Sequence, residues 1–265
     1  MRYAGAAFAL GMPTIPLLVH LPVIYSEGVG LGLTATGIAI FVARLLDVVS
    51  DPVIGVVADR FTGKWGRRKP LIFIGSLIAG VATIFLLNPG DSVHISYLIF
   101  WAALLYLGWT LVNIPYLAWG ADLSQSYRGR TQVTSLREGF MLVGIVFAGT
   151  IPALAASVGF NERQAISLIG WLVIFAGALL FMILLLTVDE PEKPPLHRRE
   201  SPFLAIKGLS VNGPFRFLLG GWFINGLANG IPAVLFILYM KHVLKADDLE
   251  RGILIFCYFL AGVVG

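Results

Sequence analysis

Phe41-Val-Ala-Arg44-Leu-Leu-Asp47-Val-Val-Ser-Asp51-Pro-Val-Ile-Gly55 places three ionisable side chains inside an apolar run that extends from 33 to 58. A run of that length crosses a bilayer core of about 30 Å as a helix. Similar runs cover 4–26, 70–88, 94–121, 137–158, 165–188 and 215–240, and an eighth begins at 251. The pattern predicts an all-α, polytopic membrane protein. Composition agrees: 57% of the 265 residues are hydrophobic and 13% charged, with mean hydropathy +0.85. A soluble domain carries about a quarter of its residues charged. The first run is too long for a signal-peptide core and holds Pro13, Pro16 and Pro22, so it reads as a retained span. Cys257, the single cysteine, lies in an apolar run and has no partner for an internal disulfide.

The net charge of +4 does not mark a nucleic-acid partner, because the basic residues sit in short loops between spans. Fourteen of the nineteen lysines and arginines fall on one side if the amino terminus is cytoplasmic. That asymmetry predicts a multi-pass protein of the cell inner membrane with its amino terminus inside. Residues 189–214 hold five prolines and read as a semi-rigid cytoplasmic linker. The expected organisation is a six-helix bundle over 1–188, the linker, and the start of a second bundle over 215–265, the layout of transporters built from two halves. The final run is about six residues short of a full crossing, so the chain reads as a fragment.

Charges inside a span are costly, about 2.5–3.5 kcal/mol each by insertion scales when they face lipid. At about 100° per residue, Arg44, Asp47 and Asp51 share one narrow stripe, with Ser50 at its edge and Leu45, Val49 and Val56 opposite. Two carboxylates one turn apart repel each other unless one holds a proton or a small cation lies between them. Oxygen ligands of this kind suit a hard cation such as Na⁺. The plainer alternative is a packing salt bridge from Arg44 to Asp47, which leaves Asp51 unexplained. Pro52 removes a backbone donor beside the pair.

The fourth run adds Trp109-Thr110-Leu-Val-Asn113-Ile-Pro115-Tyr116. Thr110 and Asn113 face one way, and either serve helix packing or support the acidic pair. Trp109 and Tyr116 are either ordinary packing or the aromatic wall of a substrate pocket. His20 is either a packing histidine or a functional one. In the loop after the second run, Asp59, Arg60, Arg67 and Arg68 form an orientation signal and also a candidate latch between helix ends. No nucleophile–base pair, metal cluster or phosphate loop points to an enzyme.

Gly55-x-x-x-Asp59-Arg60 followed by Gly66-Arg67-Arg68 resembles the loop signature of the major facilitator superfamily. The stretch from Val42 to Gly55, the turn Lys64-Trp65-Gly66-Arg67-Arg68-Lys69-Pro70, and Asn113-Ile114-Pro115-Tyr116 are similar to its glycoside–pentoside–hexuronide:cation symporters, the group of melibiose permease. The resemblance implies twelve spans, a monomer in the bilayer and alternating access, with no cofactor. It implies a cation site at Asp47 and Asp51, supported by Ser50, Thr110 and Asn113. It also implies a small-solute pocket near Trp109, Asn113 and Arg137, with Tyr116 and His20 as further lining candidates and Arg44 tuning the charge. Sugar-transporting members carry an acid on the first span, whereas Ala9–Pro13 has none, and Asn113 stands where many have an aspartate. With fewer carboxylates, H⁺ joins Na⁺ as the expected coupling ion. A lysolipid or peptide facilitator and a non-transporting membrane sensor are the competing functions.

Overall fold

The computed structural model describes residues 1–61, 65–90, 93–124, 126–190 and 212–264. Among the described residues the regular elements are all helices. We number them α1 (Arg2–Gly28), α2 (Leu33–Arg60), α3 (Lys69–Leu87), α4 (Ile95–Asp122), α5 (Tyr127–Ser157), α6 (Glu162–Thr187), α7 (Gly213–His242) and α8 (Asp248–Val264). Five of them, α1, α3, α4, α5 and α6, are long and apolar enough to cross a membrane by length and composition. The chain is thus a helical, multi-pass membrane protein.

The prolines of α1 leave their mark on its backbone. Each lacks the N–H that would close an i→i−4 bond, and the helix accommodates this by widening. Two π-helical turns, Pro16–His20 and Ile24–Gly28, flank a short α segment, Leu21–Val23. Leu21 N–H reaches back to the Pro16 carbonyl, and Val29 N–H to that of Ile24, at 2.8 Å. Proline has a milder effect in α2 and α4. Both run unbroken through Pro52 and Pro115, so the expected interruption shrinks to one missing ladder bond in each.

In lipid, helices associate through close packing rather than through exclusion from water, and small residues permit the approach. Where α1 crosses α5, a Cβ on Gly11 would lie 2.1 Å from the Met141 carbonyl oxygen, and one on Gly144 would lie 2.2 Å from that of Phe8. Any larger residue at either position forces the two backbones apart. The amino-terminal end of α1 is also tied to α4. Tyr3 Oη donates to the Tyr116 carbonyl and Tyr116 Oη to the Tyr3 carbonyl, each at 2.7 Å, with the rings stacked 4.5 Å apart.

Helix α5 begins at Tyr127, ten residues before the apolar run starts, with Ser126 accepting from Gly129 N–H as its cap. Hydropathy registers only the part that meets lipid, whereas the helix continues into a basic turn holding Arg128 and Arg130. The linker expected at 189–214 lies for the most part outside the described residues. Helix α7 is exposed over most of its first twenty residues and joins the bundle through its far end. There Phe236 and Leu238 pack on Ile15, Val19 and Val23 of α1 and on Ile255 of α8.

Candidate functional site

Helix α2 turns its charged stripe toward α4. Thr110 Oγ1 lies 3.0 Å from Asp47 Oδ1 and 2.7 Å from Asp51 Oδ1, while Thr110 itself is only 3% exposed. The local sequence explains the meeting. Asp47 and Asp51 are one helical turn apart, so one side chain on the facing helix can reach both. A hydroxyl carries a single hydrogen and donates to one acceptor at a time. The second carboxylate oxygen then faces a lone pair, unless that acid holds a proton or a cation joins the oxygens. Mutual repulsion of the two acids is on the order of 3 kcal/mol at an effective dielectric constant of about 20.

Arg44 makes no ion pair with either acid. Its guanidinium carbon sits 4.4 Å from the centre of the Tyr106 ring, a cation–π contact. Among the described residues no basic side chain comes within ion-pair distance of Asp47 or Asp51. The packing salt bridge weighed from the sequence is thus absent there.

The acidic pair opens on a cavity of about 330 Å³ between α1, α2 and α4. Arg44, Asp47, Asp51, Tyr106, Trp109, Thr110 and Asn113 line it, with Thr14, Leu17 and Leu18 from α1. Trp109 and Asn113, named from the sequence as solute-binding candidates, therefore share one space with the acids. Thr14 and Tyr106 went unnoticed in the sequence. Tyr106 was within reach of sequence reasoning, because 106, 109, 110 and 113 form a single polar and aromatic stripe on α4.

Four other candidates lie elsewhere. Ser50 Oγ donates to the Asp47 main-chain carbonyl at 3.0 Å, a bond within its own helix, and is not among the cavity-lining residues. Tyr116 is fully buried in the core formed with Tyr3 and Trp119. It packs because, one turn further along α4, Tyr3 of α1 stacks on its ring and exchanges hydrogen bonds with it. Arg137 pairs with its neighbour Glu138 on α5. His20 points to the other end of α1, where Nδ1 meets Glu162 Oε1 at 3.1 Å.

The loop signature folds into a tight electrostatic knot. Arg68, 4% exposed, donates to Asp122 Oδ2 at 2.5 Å, and Arg67 stands 3.9 Å from the same oxygen. The Glu190 carboxylate accepts from the N–H groups of Arg67, Arg68 and Lys69 at 2.8, 2.9 and 2.8 Å. These are free donors at the start of α3, where the helix dipole also favours an anion. Gly66, with φ +104°, makes the approach; a Cβ there would come within 2.8 Å of the carboxylate. The side chains of Asp59 and Arg60 lie outside the described residues.

A carboxylate pair sharing one hydroxyl thus lines a cavity between three helices, and a separate charged cluster ties helix ends together. The chain belongs to the MFS/sugar transport protein family, which it matches over residues 2–265. It is 26% identical over 266 residues to the uncharacterized symporter YnaJ of Bacillus subtilis (strain 168), covering 94% of this chain and 56% of that protein. It is 27% identical to the inner membrane symporter YicJ of Escherichia coli (strain K12), over 68% of this chain and 40% of the relative. It is 22% identical to the putative glycoside/cation symporter YagG of the same organism, over 88% and 52%. The chain spans about half the length of the curated relatives it matches.

Proposed function

We propose that the protein to which this chain belongs is a symporter that moves a small polar solute, a sugar or glycoside, together with Na⁺ or H⁺. The observation that carries this reading is the single Thr110 hydroxyl held between two carboxylates that have no basic partner among the described residues. Asp51 is the principal cation ligand or proton carrier, Asp47 its partner, and Thr110 the third oxygen, with Asn113 beside them. Trp109 and Asn113 contact the solute. Entry of the ion quenches the repulsion between the acids and draws α2 and α4 together. That favours solute binding in the adjoining cavity before the protein rocks between its two open states. Arg44, held on Tyr106, raises the local positive potential without occupying the ion's place. The protein acts as a monomer, with its amino terminus cytoplasmic.

The name of one relative, a putative glycoside/cation symporter, supports this substrate class. A second reading has an observation of its own. An apolar crevice of about 200 Å³, lined by Leu10, Leu77, Val112 and Phe181, shares Leu105 and Trp109 with the polar cavity. A substrate with a polar head and an apolar tail, such as a lysolipid, would use both. Counterflow in proteoliposomes containing the full-length protein separates the readings, with a panel of sugars run against a panel of lysolipids. Sugar counterflow that responds to Na⁺ or pH supports the symporter. Counterflow with lysolipids alone replaces it, and none with either panel leaves a non-transporting protein.

A further inference from the structure

Away from the cavity, a second charged cluster joins α1 and α6 to α7 and α8. Glu162, in the first turn of α6, binds His20 Nδ1 of α1 at 3.1 Å through Oε1 and Arg251 Nη1 of α8 at 3.0 Å through Oε2. The Asn161–Gln164 capping box fixes the turn that presents it. Nearby, Glu27 of α1 pairs with Lys241 and with His242 of α7. Backbones meet here too, since a Cβ on Gly252 of α8 would lie 2.7 Å from the Ala153 nitrogen of α5. The opposite end of α7 is exposed. Among the described residues, these contacts join α7 and α8 to α1, α5 and α6.

His20 is the unusual member. It is 3% exposed, and its Nε2 has no hydrogen-bond partner among the described residues although it is buried. Nδ1 must carry a hydrogen to bond a carboxylate, so the ring is either the Nδ1–H neutral form or the cation. Beside it is a cavity of about 20 Å³, lined by Glu162, Arg251, Asn161 and Pro152, large enough for one water to satisfy Nε2. Conversion to the cation turns the bond to Glu162 into a doubly charged one, which is the stronger kind. The charged or titratable groups around it are Glu162 and Arg163 of α6, Glu27 of α1, Lys241 and His242 of α7, and Arg251 of α8. Arg163 donates to the Pro89 carbonyl, and α5 presents only Pro152 and Ala156.

We propose that His20, Glu162 and Arg251 form a proton-controlled latch on the outer gate, closed when His20 is protonated and loosened when it is neutral. The sidedness rests on the cytoplasmic amino terminus given above; the latch itself does not. Closure by an external proton would keep the emptied cavity from reopening outward until the ring is released.

The test uses the full-length protein with its native cysteines, including Cys257, replaced by serine. Thr14→Cys reports on the cavity through a membrane-impermeant maleimide. Rates are normalised to Val158→Cys, a 75% exposed position at the same end, which cancels the pH dependence of the thiol. Normalised labelling of intact cells is expected to rise about fivefold from pH about 6 to about 8. Glu162→Gln should reach the high rate already at the lower pH, His20→Gln should flatten the response, and Glu162→Asp should retain it. A response kept in full by His20→Gln overturns the latch, as does slow labelling of Glu162→Gln. Flattening by His242→Gln instead of His20→Gln, which would place the sensor on a residue 61% exposed, overturns it equally. The same response in inverted vesicles and not in cells supports the latch and overturns the orientation. None of these readouts requires transport, so failure of the symporter reading shows up separately.

Discussion

The ends of the bundle and its middle handle acidic residues in opposite ways. At the ends, Asp122 has Arg68, Glu162 has Arg251 and His20, and Glu27 has Lys241 and His242. In the middle, Asp47 and Asp51 share one hydroxyl, while the nearest arginine on their helix rests on a tyrosine ring. A paired acid is a fixed structural element whose removal leaves a stranded charge. An acid pair with no basic partner among the described residues is where the proposed cation would bind. The contrast teaches that in this chain the partner, more than the depth of burial, separates the charges that hold helices from the pair assigned to the proposed ion site.

The sharpest way to break that contrast is to neutralise the middle. Asp51→Asn in the full-length protein is expected to abolish cation-driven accumulation while expression stays normal; radiolabelled uptake at undiminished levels would remove the cation site from the proposal. Next comes an end: Arg68→Ala should lower stability by about 2 kcal/mol through loss of the bond to Asp122, read as a drop in melting temperature in detergent. The cation dependence of uptake should barely move. Thr110→Val keeps the shape and deletes the shared hydroxyl, so the cation concentration giving half-maximal uptake should rise about tenfold. Glu190→Gln leaves one acceptor oxygen for the Arg68 and Lys69 N–H groups and sets an NH₂ against that of Arg67, losing one of three hydrogen bonds at the start of α3 and costing about 1 kcal/mol in the same melting assay. Smallest of all, Ser50→Ala should change cation affinity by less than about twofold, because its hydroxyl is engaged with its own helix. A large effect there would return Ser50 to the cation site.

Much of this was legible in the one-dimensional pattern. Five of the seven full spans read from apolar runs are helices long and apolar enough to cross, whereas α2 and α7 are helices outside that set; the α2 stripe follows from the spacing of 44, 47 and 51, since helical periodicity is a local property. Legibility fell off where polar residues had several plausible partners. Thr110 and Asn113 carried even weight with ordinary packing until the facing helix was placed. Tyr116 and Asn113, three positions apart, had the same credentials, yet one entered the core and the other the cavity. His20 gave no sign that its partners lay on α6 and α8, 142 positions away in the case of Glu162.

Sequence alone determined that this chain lives in a membrane as helices and that two acids are kept within one of them. Solvent transfer and helical spacing act residue by residue, so they are written along the chain. Tertiary structure decided which charges are neutralised and which are not. Arg44 went to Tyr106, and Thr110 reached both aspartates, because helices distant in sequence were brought to hydrogen-bond range. Electrostatic pairing falls away over a few ångströms, and only the packed fold sets distances that short.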